Sequence, residues 1–339
     1  MRSRRELLQA ALGGLATLAC GPGSAQTLPP LNSRLTGDLY PVHDPCIIKA
    51  ADTCYVFCTT PRADAPRQIP WRRSRDLLHW EMGGHVFREL PPWALQAVPH
   101  TQTLWAPDIS FFNGQYYLYY ACSTFGSNRS GIGLATNTTL DPSDAAYHWQ
   151  DCGLVLESRQ NDDFNAIDPN RVIDRNRRHW LALGSFWSGL KLVELDPGSG
   201  MPLPNAARHD LARRPKPPDA IEAPFIIERA GNYYLFASFD FCCRGADSSY
   251  YTVVGRAPEI LGPYVDQSGQ SMLAGGGTLV LTAGPGDARW RGPGHIAILR
   301  DAGRDYIVYH AYDADHDGRP TLRIAPLGWT DGNWPAAFV

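Results

Sequence analysis

The chain has 339 residues, 44% of them hydrophobic and 19% charged, with a formal net charge of -3. That composition excludes a disordered chain, and the absence of any basic run excludes a nucleic-acid surface, which needs clustered Lys and Arg. Ten Trp and fifteen Tyr exceed what a core alone asks for, and because such rings stack on the CH faces of sugars a neutral carbohydrate partner fits best.

The chain opens with MRSRRELLQAALGGLATLACGPGSAQ. Arg4 and Arg5 precede an apolar run from Leu7 to Cys20, and Gly23, Ser24 and Ala25 offer small residues for cleavage. This predicts a twin-arginine export signal over residues 1–25, a mature chain of residues 26–339, and a periplasmic or extracellular location. The run is too short and Gly-broken for a stable membrane span, so no membrane is expected in the mature form. A lipoprotein cleaved before Cys20 is the alternative, against which Thr17 is a poor fit. Seven cysteines remain after the signal, with no paired CxxC units, so a structural zinc site is not expected. Cys54 and Cys58 share a strand face but stand too far apart to bridge without a bend.

Five stretches then repeat one pattern: HDPCIIKAADTCYVF from His43, APDISFFNGQYYLYY from Ala106, IDPNRVIDRNRRHWLAL from Ile167, IEAPFIIERAGNYYLFASFD from Ile221 and GHIAILRDAGRDYIVYH from Gly294. Each has a polar residue at its entrance, an apolar strand, a turn on Asp, Asn or Gly, and an aromatic, β-branched return. The entrance residues are Asp44, Asp108, Asp168, Glu222 and His295, a period of about sixty. The connectors RRSRDLLHWEMGG, SGIGLATNTTL with HWQDCGLVLES, SGLKLVELD, YYTVVGRAPEILGPYV and TLRIAPLGWTDGNWP also read as strands. About four strands per repeat, five repeats and no helical periodicity predict an all-β fold, a five-bladed β-propeller with four-stranded blades around a central channel. A large β-sandwich would give no reason for a polar residue heading every repeat. Loops are expected over residues 64–68, 89–102 and 204–219, the last rich in Pro, Lys and Arg, and the mature chain reads as one domain and a monomer.

The ring of entrance residues suggests glycosidic hydrolysis, which needs one carboxylic acid to protonate the departing oxygen and a carboxylate across the sugar. Asp44, Asp168 and Glu222 are the candidates. Singly, each could be a strand-start carboxylate capping backbone amides; three at equivalent positions beside proline or Ala-Pro argue for chemistry.

The ordered motifs HDP (His43–Pro45), WAPDI (Trp105–Ile109), NAIDPN (Asn165–Asn170), SFWSG (Ser185–Gly189), EAP (Glu222–Pro224), CCRG (Cys242–Gly245) and GPGH (Gly292–His295) together resemble glycoside hydrolase family 43, most closely its endo-arabinanases, over essentially the whole mature chain. The resemblance implies cleavage of internal α-1,5-L-arabinofuranosyl linkages of arabinan with inversion. It casts Asp44 as general base, Glu222 as general acid and Asp168 as the third carboxylate, which tunes the acid and orients substrate. An inverting pair should stand about 6.5 to 9.5 Å apart, leaving room for water. Glu222 should carry a raised pKa and Asp44 should stay ionised.

The resemblance also implies that His295 helps hold an ion, usually calcium, ligated mostly by water. One imidazole is unusual for a cation that prefers hard oxygen donors, and read alone His295 could be a hydrogen-bonded core histidine. Zinc chemistry is not expected, since no further His or Cys heads a blade. Trp105, Phe125, Trp187 and Ser188 adjoin the motifs as candidate substrate contacts, as do Asn165 and the main chain around Ile167. Asp108, displaced by one residue relative to the DP units, could belong to structure. Cys242 and Cys243 could form a vicinal disulfide or remain buried thiols, and Arg244 could bridge nearby acids. An exo-acting α-L-arabinofuranosidase or β-xylosidase would keep the same carboxylates with one end of the groove closed. Ile167 before Asp168, where an arginine would stand, argues against an invertase-like propeller. A non-catalytic sugar-binding propeller would be expected to have lost one of the three acids.

Overall fold

The computed structural model describes residues 30–284 and 286–339, so the expected export signal lies outside the described residues. Five separate sheets surround one axis, four of them four-stranded and the first five-stranded. The innermost strands are Cys46–Ala50, Leu104–Phe112, Asn170–Ile173, Ile221–Arg229 and Trp290–Asp301. Each pairs antiparallel with the next strand in sequence through the Asp-, Asn- or Gly-bearing turns seen in the repeats, and successive strands lie outward. This is the expected five-bladed propeller.

The core is divided accordingly. Five apolar clusters fill the gaps between adjacent blades, from Trp71, Phe57, Tyr120 and Leu118 between the first and second to Trp80, Val56, Val308 and Ile324 between the fifth and first. Four of the remaining cysteines, Cys46, Cys54, Cys58 and Cys122, are free and buried, behaving as small apolar side chains. The ring closes without a shared sheet. Asn32, in the amino-terminal segment, donates to the Tyr309 hydroxyl and accepts from the Ile324 N–H, while Leu39 and Val42 exchange main-chain bonds with Leu322 and Pro320 of the fifth blade.

Two expectations are corrected. The stretch 204–219 is not a loop throughout, because Arg208–Ala212 is the outer strand of the third blade, with Leu211 and Ala212 buried. An edge strand needs only one apolar face, so its charged residues disguised it. The second correction concerns the register of the repeat. In all five blades one non-glycine residue at the channel entrance takes a left-handed backbone: Asp44 (φ 51°), Ala106 (42°), Asp168 (57°), Ala223 (56°) and His295 (49°). These, and not Asp108 and Glu222, are the equivalent positions. A non-glycine residue pays conformational energy there, and such strain concentrates at functional sites. The pairing of the inner strand also shifts register between Trp105 and Asp108, Glu222 and Phe225, and Gly294 and Ala297, so bulges re-aim the side chains at the channel mouth.

Candidate active site

The repeated kink brings Asp44, Asp168, Glu222 and His295 together at one mouth of the channel, and all three carboxylates are buried. Asp44 sits at the kink of the first blade. Its Oδ2 accepts from the Thr59 hydroxyl at 2.6 Å and from His43 Nδ1 at 2.7 Å, and its Oδ1 faces His295 Nδ1 at 3.0 Å. The Asp44 N–H donates to His310 Nδ1 at 3.1 Å. Burial alone would raise the Asp44 pKa, but the two imidazoles outweigh it and hold the carboxyl well below the usual range. Thr59 also accepts from the Ala106 N–H at 2.8 Å, which ties the second blade's kink to the Asp44 carboxylate.

Glu222 stands one residue before its blade's kink, so it reaches the mouth from a different angle. Its Oε1 accepts from Tyr250 and its Oε2 from Ser185, each at 2.7 Å. Ser185 opens the loop after the third blade's second strand and forms a main-chain bridge to Glu222. Burial raises the Glu222 pKa; the two hydroxyls oppose it, and the Asp44 charge adds to it. Asp168 accepts from the Ala223 N–H at 3.1 Å, which seats it next to Glu222. Burial, together with repulsion from Glu222 and Asp44, lifts Asp168 well above the carboxylate range against the pull of His295. Ionising either carboxyl of this pair holds the proton on the other.

Several residues of the site carry no sequence-level prediction. His43 stacks on His310 with ring centroids 4.0 Å apart, and the Tyr250 ring lies nearly parallel to His310 at 6.0 Å, so adjoining rings link the neighbours of Glu222 to those of Asp44. His310 is fully buried and burial, then the neighbouring His43, drives its pKa well down, so it is neutral; with Nδ1 accepting, its proton lies on Nε2, which is buried without a protein partner among the described residues. Adjacency to Asp44 could have flagged His43. His310, Tyr250, Ser185 and Thr59 arrive through strand pairing and loops, and His310, opposite Gly294 in the fifth blade, is the one that the hairpin register could have found.

His295 donates Nδ1 toward Asp44, and its Nε2 has no hydrogen-bond partner among the described residues. A carboxylate on one ring nitrogen and an unpartnered second nitrogen is the arrangement of a metal-ligating histidine, so the side chain fits an ion. Burial opposes protonation, but Asp44, Asp168 and Glu222 prevail and raise the imidazole to about 9, so an ion taken up at Nε2 would displace a proton from it.

Phe125 is 80% exposed, Trp105 and Trp187 are partly exposed, and Trp187 follows Ser185 closely in the loop that touches Glu222. Ser188 has a buried hydroxyl without a partner among the described residues. Asn165 is buried and accepts from Ser130 at 2.7 Å, and the buried Ile167 accepts at its carbonyl from the Gly184 N–H. Asp108 lies deeper, accepting from Asn170 at 3.0 Å and the Arg171 N–H at 2.8 Å, a structural tie between the second and third blades. Cys242 and Cys243 are joined as a vicinal disulfide. Arg244 does not bridge an acid among the described residues; its guanidinium lies 4.0 Å over the Phe241 ring, the aromatic face being nearer than any carboxylate.

The chain is similar to known proteins along most of its length. Glycosyl hydrolases family 43 matches residues 40–335. The chain is 40% identical over 305 residues to an extracellular exo-α-(1→5)-L-arabinofuranosidase of Cellvibrio japonicus, covering 87% of this chain and 85% of that one. It is also 40% identical over 296 residues to the extracellular endo-α-(1→5)-L-arabinanase 1 of Bacillus subtilis, covering 87% of each. Among solved structures, the endo-arabinanase of Bacillus licheniformis matches with a TM-score of 0.81 at 42% identity over 89% of this chain and 99% of that one. An α-L-arabinanase of Cellvibrio cellulosa complexed with arabinohexaose matches with a TM-score of 0.82 at 38% identity, over 88% and 96%. The chain belongs to glycosyl hydrolases family 43.

Proposed function

We propose that this protein is an exported arabinanase that cleaves internal α-1,5-L-arabinofuranosyl linkages with inversion. One observation carries the reading: two buried carboxyls at one channel mouth are driven in opposite directions, Asp44 toward ionisation and Glu222 toward protonation. Glu222 gives its proton to the departing glycosidic oxygen. Asp44 takes a proton from water, whose oxygen attacks the anomeric carbon from the opposite face. Asp168 and Glu222 form a buried pair that resists carrying two charges and so retains a proton for the acid; after product leaves, the water-derived proton on Asp44 returns to solvent and Glu222 takes one up. Trp105, Phe125 and Trp187 offer faces for arabinose rings, with Asn165, Ile167 and Ser188 shaping the subsites between them.

His295 Nε2 would hold a calcium ion whose other ligands are mainly water. When bound, the ion supplies a fixed positive charge near Asp44. A chelator should lower both turnover and melting temperature of the wild type and leave a His295→Ala variant unchanged; equal effects on both proteins would remove His295 from the ion site. Export rests on the amino-terminal sequence and on relatives named as extracellular.

A second reading, exo action on the same linkage, is favoured by the 40% identity to the Cellvibrio japonicus exo-acting relative. Incubation with linear arabinan, a xylan and a nitrophenyl arabinoside separates the two. Mixed short oligosaccharides from linear arabinan alone support endo action, and release of a single small product replaces it with exo action.

A further inference from the structure

The hydrolytic reading leaves unused a group of metal-ligating atoms beside the base. His43 Nε2, Cys242 Sγ and Cys243 Sγ all lie within 4.8 Å of one another. His43 Nε2 is 3.7 Å from Cys243 Sγ. A tetrahedral ion bonded at about 2.0–2.1 Å to nitrogen and about 2.3 Å to sulfur separates those two donors by about 3.6 Å, so this edge of the coordination polyhedron already exists. The histidine is also oriented for the task. Its Nδ1 donates to Asp44 at 2.7 Å, which fixes the tautomer and leaves the Nε2 lone pair facing the sulfurs, a carboxylate–histidine–metal arrangement. That lone pair now accepts from the Tyr312 hydroxyl at 2.7 Å, and Tyr312 in turn accepts from the Cys243 N–H at 2.7 Å. Cys243 is exposed, so reagents reach it.

We propose that reduction of the Cys242–Cys243 disulfide opens a metal site, made of His43 and the two thiolates, for a thiophilic divalent cation such as Zn2+ or Cd2+. A dithiol reductant delivers two electrons and two protons: the protein S–S bond breaks, two thiols form, and the reductant closes its own disulfide. The cation then displaces one proton from each thiol, takes Nε2 in place of the Tyr312 hydroxyl, and completes its tetrahedron with water. The oxidised pair has no thiolate to offer, so the site is gated by redox state. Binding pulls on His43 and therefore on Asp44, and the loaded enzyme hydrolyses arabinan more slowly. Only this last consequence rests on Asp44 being the base.

The test is a Cd2+ titration of the full-length enzyme, untreated and after reduction with a dithiol that is then removed under exclusion of air. Ultraviolet absorption of the cadmium–thiolate bond reports binding and arabinan hydrolysis is read in parallel. The reduced protein should bind one Cd2+ per chain and the untreated protein none. His43→Gln should weaken binding by about tenfold to a hundredfold or more while keeping both thiols, Cys243→Ser should abolish the signal, and Cys152→Ser, which removes the exposed thiol elsewhere, should leave it intact. No saturable signal, a signal surviving Cys243→Ser, or one lost in Cys152→Ser would overturn the proposal. Full binding with undiminished hydrolysis would uphold the site and count against Asp44 as base.

Discussion

The two halves of the active site are equally buried and chemically opposite. Around Glu222 the donors are two neutral hydroxyls, Tyr250 and Ser185. Around Asp44 they are two imidazoles and the hydroxyl of Thr59. Burial pushes both carboxyls upward; hydrogen bonds from neutral donors only soften the push, whereas imidazoles that can carry charge reverse it. The opposite shifts of the two carboxyls thus come from the charge of the residues that touch them and not from depth. Asp168 adds to the contrast by placing a second buried carboxyl on the Glu222 side, which burial and the charges of Glu222 and Asp44 hold well above the usual range.

The largest effects should come from abolishing either half. Glu222→Gln and Asp44→Asn should each lower kcat on linear arabinan by about 10²–10⁴-fold with the fold intact by circular dichroism. Near-normal turnover in either variant would dissolve the contrast. Asp168→Asn should cost less, about tenfold in kcat, and should act through pH. Asparagine cannot ionise, so the pair's resistance to a second charge is gone, Glu222 loses its proton earlier and the alkaline limb of the rate profile moves to lower pH. Tyr250→Phe should do the reverse. The Tyr250 hydroxyl stabilises the ionised form of Glu222, so its loss raises the pKa further and moves the alkaline limb up by about one unit. Measured kcat/KM profiles for the two variants should bracket that of the wild type, and shifts in the same direction would show that Glu222 does not set that limb.

The smallest effect on rate belongs to Asp108, which serves only the frame. Burial raises it from 3.8 to about 6, outweighing the bonds from Arg171 and Asn170. A carboxyl with a raised folded pKa contributes stability below its unfolded value and loses it as pH rises through the folded one. The wild type should therefore lose stability relative to Asp108→Asn as pH climbs across that window, while kcat stays within a factor of about two. Thermal unfolding of both proteins across the window checks this.

The blades and the three acids were legible because both are local in the sequence. A strand, turn and strand with a carboxylate beside proline can be read from one stretch, and five copies fix the architecture. The register was harder. Asp108 lies two residues beyond the kink at Ala106, and only the left-handed backbone shared by Asp44, Ala106, Asp168, Ala223 and His295 reveals which positions correspond. The surroundings that set protonation were not legible, because Tyr250, Ser185, Thr59 and His310 reach the acids through strand pairing and loops that no local pattern encodes. The outer strand Arg208–Ala212 was hidden for a related reason, its composition answering to solvent on one face.

The stereochemistry of the first product tests the central claim most directly. Proton NMR of the anomeric region, recorded in the first minutes of hydrolysis of linear arabinan, distinguishes water attack assisted by Asp44 from direct attack by a carboxylate. A β-configured reducing end appearing first, with the α form growing only by mutarotation, is the result expected of Glu222 as acid and Asp44 as base. An α-configured reducing end formed first would require a covalent intermediate and would contradict the assignment.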